Sequence, residues 1–557
     1  MKPEEIQEEV LPIQAMKDKF PKIIHALVLL ILFFSCGSKV PVITSINPKI
    51  GSKGDVITLT GNNFGALREE SYVTIAGIAL TSSSYYSWQN NQIIIRIPEL
   101  GESGLLYIHS KGRKSNGVLF TNSASVPIQV EGKDHGFGPN IDSINPQTGA
   151  VGTLITVNGS NFGRSQEGAG VFFSWDYETS YNPYLVKTHE FIEVSETELG
   201  YVSWNAREIQ VRLPDGAVSG NIEVRTPHGK SRPYFFDVTG KPGSKNFTDK
   251  RSYTISYSVD IKVLEAAKPN TLYLWIPMPV SSPSQRKVSF VSRSTEPFVE
   301  NHKAVNLFKL DNLAKGASQS IKLSFSVDVY ALETEINPYA VKQEKTPLSA
   351  AYTQSSALIP VSAPQIRETV NTIIGREQNP YNKAKLIYNW IIKNIQMVET
   401  LPSSSGDVVN AIILKRSDAY TSALLYTAMA RAAGLPCIPA AGVLINRNGS
   451  TQRHYWAEFW IDGFGWIPVD PAMGAGILGA SFLTKEDPAS YYFGNCDNQR
   501  IIFSRGEVML SQMENRGRPV SYNQSYSLQN IWEEACGGLE SYTSLWGDIT
   551  IDGIYVQ

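Results

Sequence analysis

The sequence predicts a multidomain protein, mostly β, whose C-terminal part is an α+β core. Three observations carry that prediction. The chain has 557 residues, more than one hydrophobic core organises, which points to roughly three to five domains. A block then repeats: Ile43 to Gly65 reads ITSINPKIGSKGDVITLTGNNFG, and Ile141 to Gly163 reads IDSINPQTGAVGTLITVNGSNFG, offset by 98 residues. That offset is the size of one small β-sandwich. After Pro360 the strand-like alternation gives way to helical spacing, with Ala384, Ile387, Tyr388 and Ile391 at i, i+3, i+4 and i+7.

At the N-terminus, Met16-Lys17-Asp18-Lys19-Phe20-Pro21-Lys22 is basic and Ile23 to Phe34 is apolar, followed by Ser35-Cys36-Gly37-Ser38. The apolar run is too short for a bilayer span, which takes ~20 residues, and its order is that of a secretory signal. Cys36 after that run resembles a bacterial lipobox, although Phe33 stands where Leu is usual and Phe34 is bulky. The resemblance implies a signal peptide over 1–36, a diacylated Cys36 as the membrane contact, and a lipid-anchored place in a bacterial envelope. A plain signal peptide or an uncleaved anchor is the alternative. Residues 1–15 are acidic and unlike a signal start, so Met16 is the expected initiator.

The formal charge of −2, without long basic or acidic tracts, gives no reason to expect a nucleic-acid partner. Four cysteines in such a length exclude a disulfide-dense scaffold. With Cys36 lipidated, Cys437, Cys496 and Cys536 allow at most one disulfide. No His/Cys/Asp cluster has metal-ligand spacing, so neither metal nor cofactor is expected.

The repeats define domains over 37–135 and 136–240. Each alternates apolar and polar residues between turn signals, as in Val56-Ile57-Thr58-Leu59-Thr60 before Gly61-Asn62. Later echoes are Ser87-Trp88 with Ile93, Arg96 and Pro98, against Ser203-Trp204 with Ile209, Arg212 and Pro214. Gly51, Gly54, Gly149 and Gly152 are expected at positive φ in tight turns. The Asn-Phe-Gly endings resemble the IPT/TIG family of immunoglobulin-like folds, which implies spacers or binding modules. Gly240-Lys241-Pro242-Gly243-Ser244 reads as a linker, and 250–335 as a further β-domain that packs against the α+β core and orients it.

The core is expected over 345–510, with 511–557 as a C-terminal extension. Asp418 to Ala433 reads as a helix with Asp418 as N-cap and Gly434 at its end, and strands carrying His454 and Asp470 come next. Ser417-Asp418-Ala419, Gly434-Leu435-Pro436, His454-Tyr455-Trp456-Ala457-Glu458 and Gly465-Trp466-Ile467-Pro468-Val469-Asp470-Pro471 resemble the transglutaminase-like superfamily of papain-like cysteine enzymes. In that family a Cys opens the helix, where free N–H groups and the dipole favour a thiolate. A His then takes its proton and an Asp fixes the imidazole. By this resemblance the three places are filled by Ala419, His454 and Asp470, and the nucleophile's place holds a methyl group.

Cys437 lies eighteen residues beyond Ala419, more than ~20 Å along a helix, and cannot stand in. Cys496, Ser417 and Ser422 are weaker substitutes. The leading expectation is a catalytically degenerate head that binds peptide or protein in its groove. The alternatives are an active cysteine protease or amide-transferring enzyme with a displaced nucleophile, and an inert surface spacer.

Overall fold

The structure is a computed structural model, described over residues 40–99, 104–122, 138–166, 168–175, 190–342, 346–401, 407–476, 487–522 and 524–556. Cys36 and the signal segment lie outside the described residues. The chain divides into two compact units, residues 1–132 and 133–557.

The first unit is a sandwich of two sheets. One sheet orders Val42–Asn47, Val56–Asn62, Gln92–Arg96 and Tyr85–Trp88, and the other contains Val118–Asn122, Gly104–Ser110 and Tyr72–Ile75. The alternation read in the sequence sends Ile57 and Leu59 inward against Phe64, Ile93, Ile95 and Phe120. The Asn-Phe-Gly signature has a physical reason. Phe64 fills the core, and its carbonyl accepts from Trp88 Nε1 at 3.1 Å. Copy two repeats this with Trp204 Nε1 on the Phe162 carbonyl at 3.1 Å. Before each signature a glycine lets two strands meet: a Cβ on Gly61 would stand 2.0 Å from the Val42 carbonyl oxygen, and one on Gly159 1.9 Å from that of Asn140. Of the four turn glycines, Gly54 and Gly152 take φ of 94° and 90°. Gly51 and Gly149 do not have positive φ; they sit in short strands.

The second unit joins copy two, the β-domain and the core. Copy two docks through residues that copy one lacks. Val151 packs with Ile438, Trp460 and Trp466 of the core, where copy one has Lys53. Asp215 accepts from the Trp466 backbone N–H at 3.1 Å, where copy one has Glu99. In copy one Lys53 and Glu99 instead pair with each other at 3.0 Å in solvent. Trp175 packs on Phe247 and Tyr330 of the β-domain, with ring centroids 5.3 and 5.2 Å apart.

The β-domain is built on one long strand, Gly243–Pro277, so the expected linker is already strand by Gly243. It pairs antiparallel with Ser318–Ile336 and Val305–Asp311. It also pairs with Glu533–Trp546 and Thr550–Val556. Residues 511–557 are therefore not an appendage: the chain leaves the core and returns to complete this sheet, burying Trp532, Ala535 and Leu539.

In the core, an antiparallel sheet orders Gly465–Val469, Thr451–Ile461, Cys437–Ile445 and Arg500–Arg505. Helix Ala419–Ala432 packs on one face against Tyr455, Ala457, Phe459, Ile467 and Val469. Helix Pro380–Asn394 covers it with Ala384, Ile387, Tyr388 and Ile391, all fully buried, as the helical spacing predicts. Residues 454, 456 and 458 alternate to the opposite face, which the β-domain and copy two cover.

Candidate functional site

Ala419 is the first residue of its helix and is half-buried. Asp418 caps it, with Oδ1 accepting from Thr421 N at 2.8 Å and Oδ2 from Leu401 N at 3.2 Å. Gly434, at φ 82°, ends it. Replacing Asp418 by Ala is expected to cost about 1–2 kcal/mol, read as a lower urea midpoint for the core. The rings of Tyr420 and Tyr455 meet edge-on with centroids 5.0 Å apart. That contact holds the first helical turn over the end of the strand that carries His454.

His454 stands on that strand beyond its last pair with the Gly465–Val469 strand, Ala457 with Val469, where the chain turns into Asp470. Its Nε2–H donates to Asp470 Oδ2 at 2.7 Å, with both side chains almost completely buried. Asp470 Oδ1 accepts from Met473 N at 3.0 Å, capping helix Pro471–Gly474. The structure thus brings His454 and Asp470 together; Ala419 stands on the helix that packs against the strand of His454 through the alternate residues Tyr455, Ala457 and Phe459, and it shares no hydrogen bond with the pair.

A guanidinium completes the cluster. Arg500 Nη1 donates to the same Asp470 Oδ2 at 3.0 Å, and Nη2 to Asp497 Oδ2 at 2.5 Å. Its Cζ lies 4.9 Å from the centroid of the Trp456 ring, which stacks beside His454 at 6.3 Å and 19°. Asp497 also accepts from Gln499 N at 2.9 Å and Tyr492 Oη at 3.3 Å. Burial by itself pushes the Asp470 carboxyl up. The opposing charge and hydrogen bond of His454, then Arg500 and the Met473 N–H, outweigh it and hold the carboxyl below its ordinary value. At Asp497 burial is likewise overcome, here by Arg500.

These depressed carboxyls stabilise the fold fully above the unfolded-state pKa, ~3.9, and that contribution disappears as pH falls through the folded values. Asp497→Asn is expected to flatten the acid limb of the stability curve, measured as urea midpoint against pH below pH ~5. Glu198 has the opposite sign. Burial raises it despite Arg505, so its contribution is present at low pH and lost as pH rises through the raised value.

The described thiols are poor nucleophiles. Cys437, Cys496 and Cys536 are free and buried. Desolvation pushes each thiol up to about 12, against activation, which needs a thiolate near neutral pH. In the native protein these three are expected to react with a disulfide reagent at least ~1000-fold more slowly than after unfolding; comparable rates would contradict their burial.

Sequence reasoning missed Arg500 and the roles of Asp497 and Glu458. Asp497 stood in a segment already compared with the family, and Arg500 heads the apolar run Ile501-Ile502-Phe503. A charge opening such a run hints at a buried partner without naming it. Glu458 belongs to the junction with copy two: Arg505 donates to it through Nη2 at 2.6 Å and reaches Glu198 through Nη1. Among the described residues no group of three or more His, Cys, Asp or Glu is placed to hold a metal ion, and no helix is long and apolar enough to cross a membrane.

A capped helix over a sheet bearing a His–Asp pair, following two like β-sandwiches in the chain, defines a protein with a transglutaminase-like domain and two immunoglobulin-like IPT/TIG domains. Residues 367–471 match the family model of the transglutaminase-like superfamily, and 41–125 and 139–248 match that of the IPT/TIG domain. An uncharacterized protein of Haemophilus influenzae is 26% identical over 298 residues, covering 46% of this chain and 80% of that one. A cyclomaltodextrin glucanotransferase of Paenibacillus macerans is 25% identical over 108 residues, which are 18% of this chain and 15% of that enzyme. A candidate cysteine protease of Cytophaga hutchinsonii is a structural neighbour at 14% identity and TM-score 0.34, over 56% of this chain and 92% of that one.

Proposed function

We propose that this chain is a lipid-anchored protein of the bacterial envelope whose transglutaminase-like domain has lost catalysis and binds an extended peptide or protein segment. Cys36 is the lipid site in this reading, and Ala419, His454 and Asp470 mark the degenerate triad. The observation that carries it is a methyl group at the first position of a capped helix, where the family motif places its nucleophile, in a chain that keeps the His454–Asp470 hydrogen bond at 2.7 Å. The three buried thiols of raised pKa supply no substitute nucleophile among the described residues. Loss of a catalytic nucleophile costs on the order of a millionfold in turnover, whereas affinity drawn from walls and backbone contacts survives it.

The test is Ala419→Cys in the full chain, treated with a thiolate-selective electrophile at neutral pH. Rapid labelling of position 419, slowed by His454→Ala, is the expected outcome. A thiol there that labels no faster than a free cysteine would overturn the reading of these residues as a triad. Peptide hydrolysis by the wild type that disappears in His454→Ala would replace the binding reading with an enzyme.

A further inference from the structure

We propose that Arg500 is the positioning residue of the His454–Asp470 pair, holding the Asp470 carboxylate where it accepts from the imidazole, and that Asp497 in turn holds Arg500. This role rests on the reading of His454 and Asp470 as a retained catalytic pair. It goes beyond that reading by assigning the pair's orientation to a residue outside the motif.

Three donors meet the Asp470 carboxylate. Met473 N takes Oδ1, while His454 and Arg500 share Oδ2 at 2.7 and 3.0 Å. A backbone N–H on one oxygen leaves the carboxylate free to rotate about its bond to Cβ; a second fixed donor on the other oxygen removes that freedom. Arg500 is suited to this because its planar fork serves two carboxylates at once, Asp470 and Asp497, in one fixed geometry. Its side chain is only 2% exposed. It is sandwiched by Trp456 on one side, with Tyr492 5.9 Å away, so it cannot swing to solvent. Without the guanidinium, two buried carboxylates would face each other and one would take up a proton. The acceptor for His454 Nε2–H would then be weakened or turned away.

The experiment uses the full chain with ¹⁵N-labelled histidine, following the Nε2–H proton of His454 among the seven histidines and assigning it with His454→Gln. In the wild type this proton is expected downfield and protected from solvent exchange. Arg500→Met is expected to speed its exchange about tenfold or more, the loss of one charge-assisted hydrogen bond. Arg500→Lys keeps the charge but reaches one carboxylate, so it is expected to lose part of the protection and remain folded. It decides the matter if the Met variant does not fold. An unchanged, protected proton in either folded variant overturns the role of Arg500 while leaving the pair intact. A wild type with no protected Nε2–H overturns the pair itself, and the positioning role with it.

Discussion

Lys245→Met is expected to weaken the junction between the second immunoglobulin-like domain and the transglutaminase-like core by about 3–5 kcal/mol, the usual effect of stranding one charge of a buried pair. Lys245 Nζ lies 2.5 Å from Asp215 Oδ1 and donates to the Trp466 carbonyl at 2.6 Å, and both charged side chains are under 10% exposed. Burial lowers the Lys245 pKa, and the charge and hydrogen bond of Asp215 oppose that shift. The substitution leaves the buried Asp215 with the Trp466 N–H as its hydrogen-bond donor among the described residues, and with the Lys241 and Arg505 charges acting only through space.

Gly465→Ala attacks the same place from the other side. Gly465 has φ 101°, and a Cβ there would stand 2.3 Å from Asp215 Oδ1. Both variants are expected to lower the urea midpoint followed by tryptophan fluorescence and to expose residues near Gly240 to protease. A wild-type midpoint and cleavage pattern in Lys245→Met would show that the ion pair carries no net energy.

Asp470→Ala is expected to be the more damaging half of the His–Asp pair. It removes the acceptor of His454, one of two carboxylates on the buried Arg500, and the cap of helix Pro471–Gly474, at a total of about 3–5 kcal/mol. In His454→Ala, Asp470 keeps Arg500 and the Met473 N–H, so the expected loss is smaller, about 1–3 kcal/mol. Denaturant midpoints of the two variants give the order directly. A His454→Ala protein less stable than Asp470→Ala would mean that the imidazole, not the carboxylate, is the structural centre.

How much of the fold and the site is legible in the sequence depends on the range of the interaction. The repeat offset, the strand alternation, the Asp418 cap and the Gly434 stop are set by residues within a few positions of one another, and each appears where local chemistry puts it. The four turn glycines are half-legible: Gly54 and Gly152 need positive φ, whereas Gly51 and Gly149 sit in short strands. The segment 511–557 reads as an extension because its partner, the Gly243–Pro277 strand, lies far upstream.

By itself the sequence determined two like β-sandwiches, a third β-domain, a core with a capped helix, and a methyl group at position 419 in a motif that also holds His454 and Asp470. Only the tertiary structure decided what surrounds them. Arg500 reaches Asp470 across 30 positions, and Lys245 reaches Trp466 across 221. It also decided that Val151, Trp175 and Asp215 fix the second copy to the β-domain and the core, where the first copy has other residues. Local patterns arise from the backbone's short-range geometry. Buried charges, by contrast, are tolerable only when folding has brought a partner from elsewhere in the chain.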